Sequence, residues 1–477
     1  MNSASILEMA TQLVMYLAYI CLVVVVFRNF ISVVQLVWAA FTFATRVKPS
    51  SISLDLWNRY ADLALPVSVI VPAFNEELSI VQSVRAILAL EYPEYEVIVV
   101  NDGSSDRTIQ ELIDGFDCVP SDRAQIKALQ HTKILGVYRS RKHANLIVID
   151  KENGRKADAS NAGIGFARTP LVCVIDADSI IETDGLLRAT EPFMYDSGKM
   201  VAVGGAIRIA NGCEIRAGSL RKVGVAKAWL PRFQVVEYLR AFITARVANA
   251  EGDSLMLISG AFGIFRRSVL LEIGGYEHET VAEDLELIVR IHRYMREQKR
   301  EYKIGFVPEI VCWTEAPTTW AGLRNQRARW QQGALETLIR HRKMILNPRY
   351  GRIGMFSMFQ IVVEDVIGPP AELIGYLVIP AALLLGVMDP TMVVLFLCLT
   401  VLFGTGLSIG TLALEELQLK RTPSARDLVR VGLAAVVENF GYRQANLVFR
   451  FSGIGRHLRK DTSWAAVPRE GFDKQLE

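Results

Sequence analysis

The six cysteines of this 477-residue chain, Cys21, Cys118, Cys173, Cys213, Cys312 and Cys398, form no CxxC pair, and two of them lie in apolar stretches. Neither a disulfide framework nor a zinc site is expected, and the soluble part is expected in a reducing compartment. An excess of one charge sign is also missing: Lys+Arg 53 against Asp+Glu 50 leaves a net charge of +3. Without a clustered basic face that balance argues against a nucleic-acid partner. Internal repeats and low-complexity tracts are absent. Between Lys48 and Arg352 no charge-free run is long enough to cross a bilayer.

What the chain has in excess is hydrophobicity, with 51% apolar and 22% charged residues and a mean hydropathy of +0.25. That is too apolar for a disordered chain and above most soluble enzymes. The excess is local. Met9 to Phe27 is 19 residues without a charge, and a helix of that length spans roughly 28 Å, close to a bilayer core of about 30 Å. It lacks a basic leader and a small-residue cleavage site, so a retained transmembrane helix is expected rather than a signal peptide. Phe30 to Phe43 reads as an interfacial helix or a short second span. Leu373 to Met388 is 16 charge-free residues and Pro390 to Leu414 is 25; with Asp389-Pro390 as the turn they read as a transmembrane hairpin.

Arg28, Arg46 and Lys48 follow the first span, and Lys420, Arg421, Arg426 and Arg430 follow the hairpin. By the positive-inside rule the middle of the chain is cytoplasmic and the N-terminus outside. Leu428 to Phe451 carries Arg430, Glu438, Arg443 and Arg450, too many charges for a lipid-facing span, so an interfacial or re-entrant helix is expected. The expected organisation is 1–47 as a transmembrane and juxtamembrane helix, 48–66 as a linker and 67–350 as a cytoplasmic α/β domain. Residues 351–370 then form an interfacial helix, 371–414 a transmembrane hairpin, and 415–477 a cytoplasmic loop, the interfacial or re-entrant helix and an irregular tail.

Inside the α/β domain, apolar runs of five or six residues alternate with amphipathic patterns. The strand Val67-Ser-Val-Ile-Val-Pro-Ala-Phe-Asn-Glu76 leads into a helix from about Ser79 to Leu90, and Tyr95-Glu-Val-Ile-Val-Val100 ends in Asn101-Asp-Gly-Ser-Ser-Asp106. Ligands of open α/β sheets sit beyond the carboxyl ends of the strands, so Glu76 and Asp102 are candidates for one crevice. A turn and helix cap would explain Asp102 equally well. The short strand Leu171 to Ile175 delivers Asp176-Ala-Asp178. Alternation along an extended chain would point both carboxylates the same way, suited to Mg²⁺ or Mn²⁺ on a diphosphate.

Gly154-Arg155-Lys156 opens the preceding helix, and Lys156 is a candidate partner for phosphate charge. Ser259, Gly260 and Phe262 fall in a stretch of small residues beside aromatics, suited to close backbone approach by a flat ligand. Glu283 and Asp284 open a further helix, where helix-dipole complementation already accounts for acidic residues. Gln326, Arg329 and Trp330 share one face of a helix at i, i+3 and i+4, a plausible clamp for diphosphate and sugar.

A strand ending in PAFNE, followed by NDGSSD, DAD, AED and QRARW in that order, resembles the processive family 2 glycosyltransferases of bacterial membranes. These include cellulose, chitin, hyaluronan and poly-N-acetylglucosamine synthases. The resemblance covers about Val67 to Pro370. It implies a GT-A nucleotide-sugar domain, with Glu76 and Asp102 near the uridine, and Asp176 and Asp178 at the metal and diphosphate. Asp284 is implied as general base, Arg329 as the grip on the diphosphate, and Gln326, Trp330 and the Ser259–Phe262 segment as the acceptor side. Asn101 stands where many relatives have aspartate, Ala282 where several have threonine or serine, and no PilZ-like domain follows.

The function so implied is an inverting, processive β-glycosyltransferase of the bacterial inner membrane. It would polymerise UDP-GlcNAc or UDP-glucose into an exopolysaccharide and pass it through its own helices. Its partners would be the UDP-sugar, a growing polysaccharide or lipid acceptor, membrane lipids, and a homo-oligomer or export partner, since three spans make a narrow path. Two alternatives stand beside it: a transferase adding one sugar to a lipid, and an inert nucleotide-binding subunit of a secretion complex.

Overall fold

The computed structural model describes residues 3–45, 53–216, 218–384, 386, 388–419 and 424–461. Arg46, Lys48, the start of the expected linker at Ser50-Ser51, Lys420, Arg421 and the tail beyond Asp461 lie outside these residues.

The chain forms a mixed α/β sheet of GT-A type beside three long apolar helices. Twelve strands occur among the described residues: β1 (Val67–Ala73), β2 (Tyr95–Asp102), β3 (Cys118–Pro120), β4 (Ile134–Ser140), β5 (Leu146–Lys151), β6 (Leu171–Ile175), β7 (Ile180–Ile181), β8 (Met200–Ile209), β9 (Glu214–Arg216), β10 (Ser219–Lys222), β11 (Phe262–Arg266) and β12 (Lys303–Thr314). Ten make one sheet in the order β3-β4-β5-β2-β1-β6-β11-β8-β12-β7, and β9 and β10 form a separate hairpin. β5, β2, β1 and β6 run parallel. Helices cover both faces of these strands, so their sequences are continuous apolar runs rather than alternating ones. Val69, Ile70, Val71, Ile98, Val99, Val148 and Cys173 are all fully buried.

The chain leaves β1 towards β2 on one side and later returns to β6 on the other. The strand order therefore reverses at β1, and a crevice opens beyond the carboxyl ends of β1, β2, β5 and β6. The turns after β1 and β2 clasp each other there: Asn75 Oδ1 accepts the Ser105 N–H at 2.8 Å, and Asp106 Oδ2 accepts the Glu77 N–H at 3.1 Å. Asn75 holds φ at 56°, a left-handed conformation that Asn tolerates better than most residues. The polar residues of both motifs build the crevice wall as well as line it.

Among the described residues, three helical stretches are long and apolar enough to cross a membrane: Thr11–Thr45, Ile353–Leu384 and Pro390–Leu417. Two expected breaks are missing. Residues 9–27 and 30–43 belong to one helix, Ser3–Thr45, and 351–370 runs without interruption into the second span. The physical reason is that each expected break rested on charges that find partners in the bundle. Arg28 Nη1 lies 2.8 Å from Glu372 Oε2, and Arg450 pairs with Asp365. Conversely, the expected single helix over 428–451 is two helices, Ala425–Val437 and Tyr442–Leu458, broken at Gly441 with φ 98°. Their charges also pair: Arg430 with Asp427, Glu438 with Arg240, and Arg443 with Glu372 at 2.7 Å. The Arg240–Glu438 pair and a Thr244–Thr411 hydroxyl contact at 2.9 Å seat the α/β domain on the third span and the helix that follows it.

Candidate active site

Asp176, Ala177 and Asp178 follow β6, but they lie in a turn closed by the Ser179 N–H on the Asp176 carbonyl at 3.0 Å. The alternation expected of an extended chain therefore does not govern their side chains, a correction to the reading from sequence. Asp176 keeps a third of its side chain exposed and reaches Lys156 Nζ at 2.5 Å. Asp178 sits deeper, at 9% exposure.

Lys156, in the first turn of the helix Arg155–Phe166, is the hub of the site. Its ammonium meets Asp176, donates to the Gly260 carbonyl at 3.0 Å, and lies 3.6 Å from Glu283 Oε1. Burial works to lower its pKa, yet Asp176, Glu283 and Asp284 together hold it above the usual lysine range. Burial pushes Glu283 above the usual carboxylate range, with Lys156 opposing. Helix-dipole complementation alone therefore understates what Glu283 does.

Asp284, in the first turn of the helix Glu283–Glu297, is held through both oxygens. Oδ2 accepts the Gly260 N–H at 3.0 Å and Oδ1 the Leu285 N–H at 2.8 Å. Gly260 is thus approached from two sides, and a Cβ there would lie 2.9 Å from Lys156 Nζ and 3.4 Å from Asp284 Oδ2. The close approach expected at this glycine is made by the protein's own charged groups. Phe262 is not brought to the crevice: its ring is fully buried in the core, because strand alternation turns it under β11. Ser259 stays at the loop, its hydroxyl 3.4 Å from the Ala261 N–H.

Gln326, Arg329 and Trp330 lie on the helix Trp320–Arg340. Trp330 is 41% exposed, with the buried Arg327 guanidinium 4.3 Å from its ring centre. Arg329 lies within electrostatic reach of Glu283, and Gln326 Oε1 is buried without a hydrogen-bond partner among the described residues. The helix reaches this position because Gly333 packs on Ala282, where any Cβ would collide. Glu336 adds a bond to the Val281 N–H at 3.0 Å.

At the other end of the crevice Glu76 accepts the Ser79 hydroxyl at 2.9 Å and donates its N–H to Thr108 Oγ1 at 2.8 Å. Asp102 is nearly buried and accepts Lys151 Nζ at 2.5 Å and the Gly154 N–H at 3.0 Å, both on Oδ1. Burial pushes its carboxyl up, while Lys151 pulls it down.

Sequence reasoning missed three residues here. Lys151 ends β5 as Asp102 ends β2, and the strand-end rule applied to Asp102 would have found it. Asp158 was passed over within the Lys156 segment. Arg246 gave no sequence signal: it lies across from Asp284, stacks on Phe242 at 3.9 Å, and burial pulls it down to about 10.

Asp176 and Asp178 carry hard carboxylate oxygens, the donor chemistry that Mg²⁺ and Mn²⁺ take, and Asp176 is paired with the Lys156 ammonium. Among the described residues no group of three or more His, Cys, Asp or Glu is placed to hold a metal ion.

Comparison with known proteins gives the lineage. The model of the glycosyltransferase-like family 2 matches residues 65–333, more than half of the chain. A poly-beta-1,6-N-acetyl-D-glucosamine synthase of Staphylococcus epidermidis is 28% identical over 312 residues, 65% of this chain and 64% of that protein. Its counterpart from Staphylococcus aureus strain COL is 30% identical over 275 residues, 57% and 56% respectively. The match thus spans less than two thirds of these relatives. Among solved structures, mannosyltransferase PcManGT from Pyrobaculum calidifontis, in complex with GDP-Man and Mn²⁺, superposes with a TM-score of 0.55 at 17% identity. That alignment covers 93% of this chain and 99% of the other, and it bears on the fold alone. Because the family model matches more than half of the chain, over residues 65–333, the chain belongs to glycosyltransferase family 2.

Proposed function

We propose that the protein is a membrane-bound, inverting, processive β-glycosyltransferase that extends a polysaccharide from a UDP-sugar. The observation that carries this is the position of Asp284, whose two oxygens each accept one backbone N–H beside the Lys156–Asp176 pair. Those bonds fix the carboxylate while leaving lone pairs free for an acceptor hydroxyl, and such a base in the transition state is worth about 10²- to 10⁴-fold.

In this reading Asp102 and Glu76 bind the nucleoside end of the donor. Asp176 and Asp178 would hold Mg²⁺ or Mn²⁺, which would supply positive charge for the diphosphate. Lys156 and Arg329 supply protein cations on the same side, and Gln326 and Trp330 hold the acceptor sugar, the indole offering it an apolar face. Ser259 and Gly260 stand at the acceptor edge; Gly260 acts through Asp284 and Lys156 rather than by touching sugar. One displacement with one base inverts an α-linked donor to a β-linked product.

The relatives' names favour UDP-GlcNAc over UDP-glucose. The three apolar helices favour residence in a membrane, with the catalytic domain on the cytoplasmic side and export through this chain, a second copy or a partner. The test is to incubate the purified full chain in lipid with UDP-GlcNAc or UDP-glucose and Mn²⁺ and size the product. Long GlcNAc polymer is expected; a single-sugar glycolipid would overturn processivity, and release of free sugar without transfer would overturn the synthase reading.

A further inference from the structure

We propose that Lys151 and Asp158 are a buried positioning pair for Asp102 that presents its carboxylate to the nucleoside end of the donor. The proposal rests on the donor reading above, and it adds residues that touch neither sugar nor diphosphate.

The geometry starts from strand register. Lys151 and Asp102 are paired neighbours at the ends of the parallel strands β5 and β2, so their side chains leave the sheet on the same side. Lys151 is fully buried. A buried ammonium is costly unless each N–H finds an acceptor, and here three do: Asp102 Oδ1 at 2.5 Å, Asp158 Oδ1 at 2.5 Å and the Glu152 carbonyl at 2.6 Å.

Asp158 is itself buried and is fixed from a second element. It accepts the Thr132 N–H at 2.9 Å on Oδ2 and the Thr132 hydroxyl at 3.0 Å on Oδ1, and His278 Nδ1 lies 3.5 Å away. Lys151 is therefore not free to follow Asp102, and Asp102 is held to it. Both hydrogen bonds to the Asp102 carboxylate, from Lys151 and from the Gly154 N–H, go to Oδ1 among the described residues. Oδ2 accepts neither of these bonds, and in this proposal it is the oxygen offered to the donor. An ionised carboxylate with one oxygen saturated presents a single, aimed acceptor, the chemistry that recognises a ring N–H or a ribose hydroxyl.

A lysine serving only to fill a buried site would affect folding and all ligands alike. A positioning lysine acts on the nucleoside alone and only through Asp102. The experiment measures binding of UDP and of pyrophosphate, each with Mn²⁺, to the full chain carrying Lys151→Met, Asp102→Ala, or both. Lys151→Met is expected to weaken UDP at least about tenfold, the loss of one charge-assisted contact, and to leave pyrophosphate within about threefold. In the Asp102→Ala background it should add nothing further for UDP, because the two residues act as one unit.

Lys151→Met combined with Asp158→Asn removes one charge of each sign and spares the fold an unbalanced buried carboxylate; it should show the same selective loss. Equal weakening of UDP and pyrophosphate, or full additivity with Asp102→Ala, would overturn the positioning role while leaving the donor reading intact. Failure of the unaltered protein to bind UDP at all would instead overturn the donor reading, and this proposal with it.

Discussion

The Gly260 N–H lies 3.0 Å from Asp284 Oδ2, while the Gly260 carbonyl accepts Lys156 at 3.0 Å. One peptide segment therefore sets the distance between the proposed base and the cation that pairs with Asp176.

Gly260→Ala is expected to lower kcat by about 10²-fold with a smaller change in donor KM, since a Cβ would lie 2.9 Å from Lys156 Nζ and displace the ammonium that faces the proposed base, and misplacement of such groups is costly. Steady-state kinetics with UDP-sugar decides it; unchanged kcat would show that the spacing is not critical.

Asp284→Asn keeps the size of the side chain and removes the proton acceptor. Transfer should fall by about 10²- to 10⁴-fold while UDP binding with Mn²⁺ stays near the unaltered value. Transfer that survives the change would remove Asp284 from its role.

Chelation should abolish transfer, and Mn²⁺ or Mg²⁺ should restore it. Asp178→Asn should raise the metal concentration needed for half-restoration at least about tenfold. Full activity in chelator would separate Asp176 and Asp178 from metal binding.

Gly333→Ala tests how the Trp330 helix is seated. The new methyl has no room against Ala282, and overpacking of this kind costs about 1–3 kcal/mol. A lower thermal midpoint together with reduced kcat is expected, and restoration of neither by added acceptor.

His292 gives a pH dependence of stability. It is buried between the Leu255 carbonyl at 2.8 Å and the Tyr302 hydroxyl at 2.7 Å, and burial lowers its pKa from 6.5 to about 4. Below pH 6.5 the unfolded chain takes up a proton that the folded one refuses, so stability falls as pH drops from 6.5 towards 4. The loss approaches about 3 kcal/mol at the lower end. Thermal unfolding from pH 7.5 to 4.5 should show this slope, and His292→Gln should flatten it.

Much of the proposed nucleotide side stands at strand ends that were legible in the sequence, for a physical reason. Buried parallel strands are short apolar runs, and the polar residue after each run marks a strand end. Glu76, Asp102 and Asp176 were readable that way, as were the apolar spans, whose length the bilayer dictates. Lys151 obeys the same rule and was within reach. The proposed acceptor side was less legible, because Gly260 and Asp284 come from separate elements that meet only in the folded chain, and the helix that carries Trp330 is seated by Gly333 against Ala282.

The sequence by itself determined that the chain has an α/β domain and long apolar helices, since hydrophobic period and run length are local properties. Only the tertiary structure decided where charges end helices and where they do not. Arg28 sits inside an unbroken helix because Glu372, 344 residues away, meets it. It also decided that Phe262 is buried in the core, and that Lys151 joins Asp102 to Asp158. Each depends on a partner distant in sequence, and the free energy of a buried charge or ring is set by that partner.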